Sequence, residues 1–211
     1  MAERLHVDPV RFDPAELDRA VEVLRAGGVV AYPTDTLYGL AADPRNPDAV
    51  ARVFAVKGRP ETSALTLIAA DVEQANVAAA FTSRASVLAQ TMWPGPLTIV
   101  AAAKPGLALT ALAGGTTVGV RVPRDAIARG LAARFGFCIT ATSANRSGQP
   151  ATADPQTVLD ALPGLDLIVD AGDAPGGPPS TIVDATGDVL RLIRDGAVPW
   201  DRVLRSLSSG A

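Results

Sequence analysis

Hydrophobic positions along the chain switch repeatedly between helical and extended spacing, and Pro, Gly and short polar runs punctuate the changes. Asp13 as cap, Pro14 as first helical residue and Glu16 as the far side of a capping box predict a first helix, with Leu17, Val21 and Leu24 on its buried face. Gly27 and Gly28 close it. GVVAY then reads as a short strand that breaks at Pro33 into the polar segment PTDTLYGL. Asn46 and Pro47 start a second helix with Val50, Val53 and Phe54 inward, ending in KGRP.

Further on, ALTLIAA reads as a strand, TSRASVLAQTMW as a helix stopped by Pro94, and PLTIVAAA and TTVGVRVP as strands. Asp125 to Phe135 is helical and ends at Gly136; FGFCITAT is a buried strand leading into the loop SANRSGQP. Asp154 and Pro155 open another helix, and LDLIVD is a strand. GDAPGGPPS is a Pro/Gly loop, TIVDAT and VLRLIR form a hairpin across Gly187 and Asp188, and a last helix runs from Pro199 to Leu207. The pattern is alternating α and β. No repeat and no long linker interrupts it, so the expectation is one domain over 1–207 with a frayed tail at 208–211.

Composition narrows the function classes. Of 211 residues, 48% are apolar, enough for a substantial core built from small aliphatic side chains, since aromatics are few. MAERLHVDPVRF lacks the basic start and apolar run of a signal peptide, and no stretch approaches about 18 uninterrupted apolar residues. A cytoplasmic protein is therefore expected. The net charge of −3 gives no support to strong non-specific nucleic-acid binding. His6 is the only histidine, which excludes a Ser-His-Asp triad and a histidine-rich metal site. The single cysteine, Cys138, lies in an apolar run and reads as a buried free thiol, not a nucleophile.

Four polar segments follow predicted strands or end a helix, positions that tend to line a common crevice in an α/β sheet: PTDTLYGL, KGRP, TSANRSG, and PST together with RLIRDG. Lys57, Arg59, Arg121 and Arg194 bring cations to such a crevice, as a polyphosphate requires. Each segment also has a structural reading. Lys57 and Arg59 sit where cations favour a helix carboxyl end. Ser143, Asn145, Ser147 and Gly148 suit turns, Thr34, Asp35 and Thr36 suit an Asx-type loop, and Arg194 suits an ordinary strand end.

In order, these segments resemble the YrdC family of threonylcarbamoyl-AMP synthases from about Val29 to Val198. The resemblance rests on Pro33 to Gly39, on Lys57 and Arg59 as Lys-x-Arg, on Ser143 and Asn145 as Ser-x-Asn, and on MWPGPLTIV, VGVRVP and PSTIVD. It implies an α/β fold, a twisted mixed β-sheet flanked by helices with a concave basic cleft. It also implies that Lys57, Arg59, Ser63, Ser143, Asn145 and Arg194 hold ATP, and that Thr36, Thr117, Arg121, Thr142 and Ser180 surround L-threonine. No side chain acts as a nucleophile in the implied reaction of L-threonine, bicarbonate and ATP. Mg²⁺ arrives with ATP and no permanent metal site is implied. A tRNA threonylcarbamoyl transferase complex is the downstream partner, and the loop at 171–180 is a candidate lid.

Two departures stand out. Longer members carry Asn-Pro-Leu and a histidine where this chain has Ser63-Ala64-Leu65 and Ile68, and they carry a second domain; the chain looks like the short, TsaC-type branch. Two other readings stay open at this point: an RNA-binding or ribosome-maturation module, and a nucleotide-binding paralogue of different specificity.

Overall fold

The structure is a computed structural model that describes residues 2–59 and 63–208. Asp13 caps a 3-10 turn, Pro14–Leu17, through a complete capping box, and the chain continues as α1 (Asp18–Arg25). Strand β1 is Glu3–His6; β2 (Val30–Tyr32) and β3 (Gly39–Ala41) flank the polar turn. Asn46 caps α2 (Pro47–Lys57), which ends on Gly58 in the left-handed region at φ 61°. Next come β4 (Thr66–Ile68), α3 (Val72–Ala78), β5 (Ala79–Ala80) and α4 (Ser83–Met92). They are followed by β6 (Leu97–Ala103), β7 (Thr117–Arg121), α5 (Ala126–Phe135) and β8 (Ile139–Ser143). The chain closes with α6 (Pro155–Ala161), β9 (Leu167–Asp170), β10 (Thr181–Asp184), β11 (Arg191–Arg194) and α7 (Trp200–Ser208).

The strands form one mixed sheet in the order β1-β9-β2-β3-β8-β4-β7-β6-β10-β11, with β5 attached to β6. Parallel pairs (β1/β9, β2/β9, β4/β7, β6/β10) are mixed with antiparallel ones such as β3/β8, β4/β8 and β6/β7. Helices cover the sheet. Leu17, Val21 and Leu24 pack with α5 residues Ile127, Leu131 and Phe135, and Val50, Val53 and Phe54 pack with Val158 of α6. A third cluster joins Leu88 of α4 and Val203 of α7 to Ile99 and Val120. Among the described residues, no helix is long and apolar enough to cross a membrane.

Several elements depart from the expectation. β1 lies at the sheet edge with mostly exposed side chains, so it carries no apolar alternation, and only its pairing with β9 makes it a strand. β3 begins inside the segment expected to be loop, because Tyr32 and Gly39 pair across the turn. α3, a short helix capped by Asp71, lies in the stretch between the expected strand ALTLIAA and the expected helix TSRASVLAQTMW, for which the sequence reading gives no element. The last helix takes in Ser208, the first residue of the expected frayed tail; 209–211, like Pro60 of KGRP, lie outside the described residues.

Candidate active site

The polar turn after Pro33 is held by one side chain. Thr34, 3% exposed, accepts at Oγ1 from the Thr36 and Leu37 amides (3.1 and 3.3 Å) and donates to the Leu37 carbonyl at 2.7 Å. This winds the turn so that Thr36, with its hydroxyl 3.1 Å from that of Thr34, faces a cavity of ≈ 280 Å³. The Thr36 carbonyl accepts from the Gly176 amide at 2.7 Å, and Tyr38 donates to the Gly172 carbonyl at 2.8 Å. With the Ala171 amide donating to the Tyr38 hydroxyl at 3.3 Å, three bonds tie the Pro/Gly loop to the turn.

Three guanidinium groups, those of Arg59, Arg121 and Arg194, line the cavity. Arg121 ends β7 and is 7% exposed. Its Nη1 lies 3.2 Å from Asp35 Oδ1, yet among the described residues neither atom makes an aligned hydrogen bond, so the pair attracts by charge alone. Arg194 donates through Nε and Nη2 to the Ser180 carbonyl (3.1 and 2.8 Å) and through Nη2 to Ser180 Oγ at 3.1 Å. Burial first, and then the charge of Arg121 beside it, push its pKa below the ordinary arginine value. Ser180 Oγ lies 2.9 Å from Thr98 Oγ1. Thr142 and Ser143, at the end of β8, complete the polar wall.

Two expected ATP ligands occupy a different place. Lys57 is 3% exposed and does not line the cavity. Its ammonium donates to the Ser143 carbonyl, to the Asn145 carbonyl at 3.0 Å and to Asn145 Oδ1 at 3.2 Å, while its own carbonyl accepts from the Ser147 amide at 2.8 Å. Burial, and secondarily Arg59, depress the Lys57 pKa to about 8. Asn145 is spent likewise: Oδ1 accepts from Ser143 Oγ, and Nδ2 donates to the Arg146 carbonyl at 3.0 Å and to that of Gln149. The pair builds the loop that carries Ser143 and does not itself reach the cavity, because its donors and acceptors are already matched.

Thr117 and Ser63 also lie outside the cavity lining. Thr117 is exposed at the opposite end of β7 from Arg121, and four residue steps along the strand separate them by roughly 13 Å. Ser63 is half-buried outside the lining, while its neighbours Ala64 and Leu65 contribute to it. Ile68 is fully buried and packs in the core, so it offers no polar contact. The sequence reading passes over Thr98 and gives Asp35 only a place in an Asx-type loop. Thr98 is a lone hydroxyl in the apolar strand LTIVAAA, an oddity that the sequence displays; Asp35 gains meaning only from its approach to Arg121.

Cys138 is fully buried, with its thiol 3.5 Å from the Gln74 carbonyl and its pKa pushed up to about 12 by burial. His6 sits on β1 against Asp170 at 3.2 Å, away from the cavity.

Against known proteins, the family model Sua5/YciO/YrdC, described as telomere recombination, matches residues 22–196. The chain is 34% identical over 199 residues to the threonylcarbamoyl-AMP synthase of Bacillus subtilis, covering 93% of this chain and 58% of that protein. It is 38% identical over 184 residues to the protein of the same name from Vibrio cholerae, covering 85% and 97%. The structure of Pyrococcus abyssi Sua5 complexed with L-threonine superposes with a TM-score of 0.90 at 32% identity, covering 98% of this chain and 61% of that one. The chain therefore spans about three-fifths of the longer relatives and nearly all of a shorter one.

Proposed function

The chain belongs to the Sua5/YciO/YrdC family, and from that membership we propose that it is an L-threonylcarbamoyladenylate synthase. The reading is carried by one observation: Arg59, Arg121, Arg194, Ser143 and buried hydroxyls from distant segments meet in a single cavity. The L-threonine named for the Pyrococcus abyssi complex supports the amino-acid half of the assignment.

In this reading Arg121 takes the amino-acid carboxylate, and Thr36, Thr142 and Ser180 surround the rest of the ligand. Arg59, Arg194 and Ser143 meet the phosphates of ATP, with Lys57 and Asn145 holding the Ser143 loop in place. ATP enters as its magnesium complex, whose metal ligands are phosphate oxygens and water. Bicarbonate gives carbon dioxide and hydroxide; the threonine amine nitrogen bonds to the carbon of carbon dioxide, and the proton it loses leaves with the hydroxide as water. A carbamate oxygen then bonds to the α-phosphorus as the bond to the bridging oxygen breaks, and pyrophosphate leaves with that electron pair. Nothing in this sequence asks for a side-chain nucleophile. The protein's part is alignment and cationic stabilisation of the departing charge. The product, a mixed anhydride, is consumed by threonylcarbamoyl transfer to tRNA in the cytoplasm.

The test is pyrophosphate release from ATP, with L-threonine and bicarbonate omitted in turn. Release that needs both is expected. Turnover indifferent to threonine, or RNA binding with steep salt dependence and no turnover, would remove this function.

A further inference from the structure

Thr98 is 2% exposed and belongs to a strand that is otherwise apolar, yet it lines the cavity. Its place is set by register. The β6/β7 ladder runs to Ile99 with Val120, the residues next to Thr98 and Arg121, and the Thr98 and Arg121 side chains both line the same cavity. On its other side Thr98 is the partner of Ile182, which also lines the cavity. Gly119 makes room for it: a Cβ there would stand 3.1 Å from the Thr98 methyl. The seated methyl fixes the χ1 rotamer, and the hydroxyl is left facing Ser180 Oγ at 2.9 Å.

Proton accounting then decides what the pair can do. Thr98 and Ser180 hold two hydroxyl protons, and one is used between them. Arg194 donates a further proton to Ser180 Oγ, which fills an acceptor site and takes up no hydroxyl proton. Among the described residues, no other side chain or carbonyl accepts from either hydroxyl. One O–H is therefore left to donate into the cavity, one strand away from the Arg121 guanidinium. A ligand that satisfies both carries a carboxylate and, a short distance away, an oxygen that accepts.

We propose that the Thr98–Ser180 hydroxyl pair reads the side-chain hydroxyl of a small β-hydroxy amino acid, with Thr98 as the specificity-determining residue. The proposal rests on the synthase reading and adds to it the group by which threonine is told from its isostere valine. A site built to hydrogen-bond a hydroxyl rejects the analogue that lacks one, because the donor is then left buried and unpaired.

The experiment measures binding of L-threonine and L-valine by calorimetry, and pyrophosphate release with each, for the wild-type protein, Thr98→Val and Thr98→Ser. Wild type should favour threonine by about a hundred-fold or more. Thr98→Val keeps the methyl against Gly119, so its melting temperature and ATP KM should stay close to wild type while the threonine-to-valine ratio falls by about ten- to a hundred-fold; Thr98→Ser should restore most of the ratio. Equal loss for both amino acids, or an unchanged ratio in Thr98→Val, overturns the proposal. Should Thr98→Val not fold, the wild-type comparison still decides, since equal binding of threonine and valine overturns it. Hydroxyl-selective binding without pyrophosphate release would end the synthase reading and leave the subsite standing. Release without hydroxyl selectivity would do the reverse.

Discussion

Replacing Lys57 with Met separates a loop clamp from a phosphate ligand, because it keeps the aliphatic stem and deletes only the ammonium. That ammonium makes three bonds to the Ser143–Asn145 loop. Charge-assisted bonds contribute about 1.5–3 kcal/mol each. Against them stands the cost of a buried charge: a fall from 10.5 to about 8 corresponds to about 3 kcal/mol at 1.36 kcal/mol per unit. The bonds exceed the cost, so Lys57→Met should lose roughly 1.5–6 kcal/mol, with about 2–4 °C of melting temperature per kcal/mol for a chain of this size. The sign with pH follows from the same shift. Native Lys57 releases its proton near pH 8, whereas the unfolded chain keeps it to about 10.5, so the native state binds fewer protons across that window. The Lys57 contribution to stability therefore rises with pH from about 8 to 10.5 in the wild type, and that rise should vanish in the variant. The assays are thermal melts from pH 7 to 10 and ATP affinity at pH 7, where weakened ATP binding should accompany the lower melting temperature. A variant with wild-type stability and pH dependence but lost ATP affinity would refute the clamp and return Lys57 to the phosphates.

Other outcomes follow from the same geometry. Thr117→Ala, at the far end of β7, should leave the threonine KM within about twofold and stability within about 0.5 kcal/mol, in contrast to Arg121→Ala; a large rise in KM would restore Thr117 to the site. Gly196→Ala would place a Cβ 2.3 Å from the Pro179 carbonyl oxygen and 2.7 Å from the Ser180 carbonyl carbon. It should cost about 1–3 kcal/mol in melts and raise the threonine KM by displacing Ser180. Cys138, with a pKa near 12, holds only about one thiolate in ten thousand at pH 8, so native protein should resist iodoacetamide and react only once unfolded, as mass spectrometry would record.

Helices α1, α2, α5 and α6 were legible because caps and apolar spacing are local: Asp13 with Glu16, Asn46, Asp125 and Asp154 each bond amides within three residues. The central strands were legible for a related reason, since burial on both faces demands the largely apolar runs that β6 and β9 display. The polar segments, too, announced a shared crevice, and Arg59, Arg121, Ser143, Ser180 and Arg194 do line one. What the residues do inside it was decided in three dimensions. Lys57 and Arg59 differ by two positions, yet one ammonium is consumed by carbonyls 86 and 88 residues away and the other cation faces the cavity. Thr117 and Arg121 share a strand, but its length puts them at opposite ends. Thr98 and Ser180 are 82 residues apart and become one donor because β6 lies beside β10. Sequence alone determined which segments turn, cap or extend, since those preferences act over a few residues; tertiary structure decided which polar atoms remain free for a ligand, since a donor is committed or available only once its distant neighbours are in place.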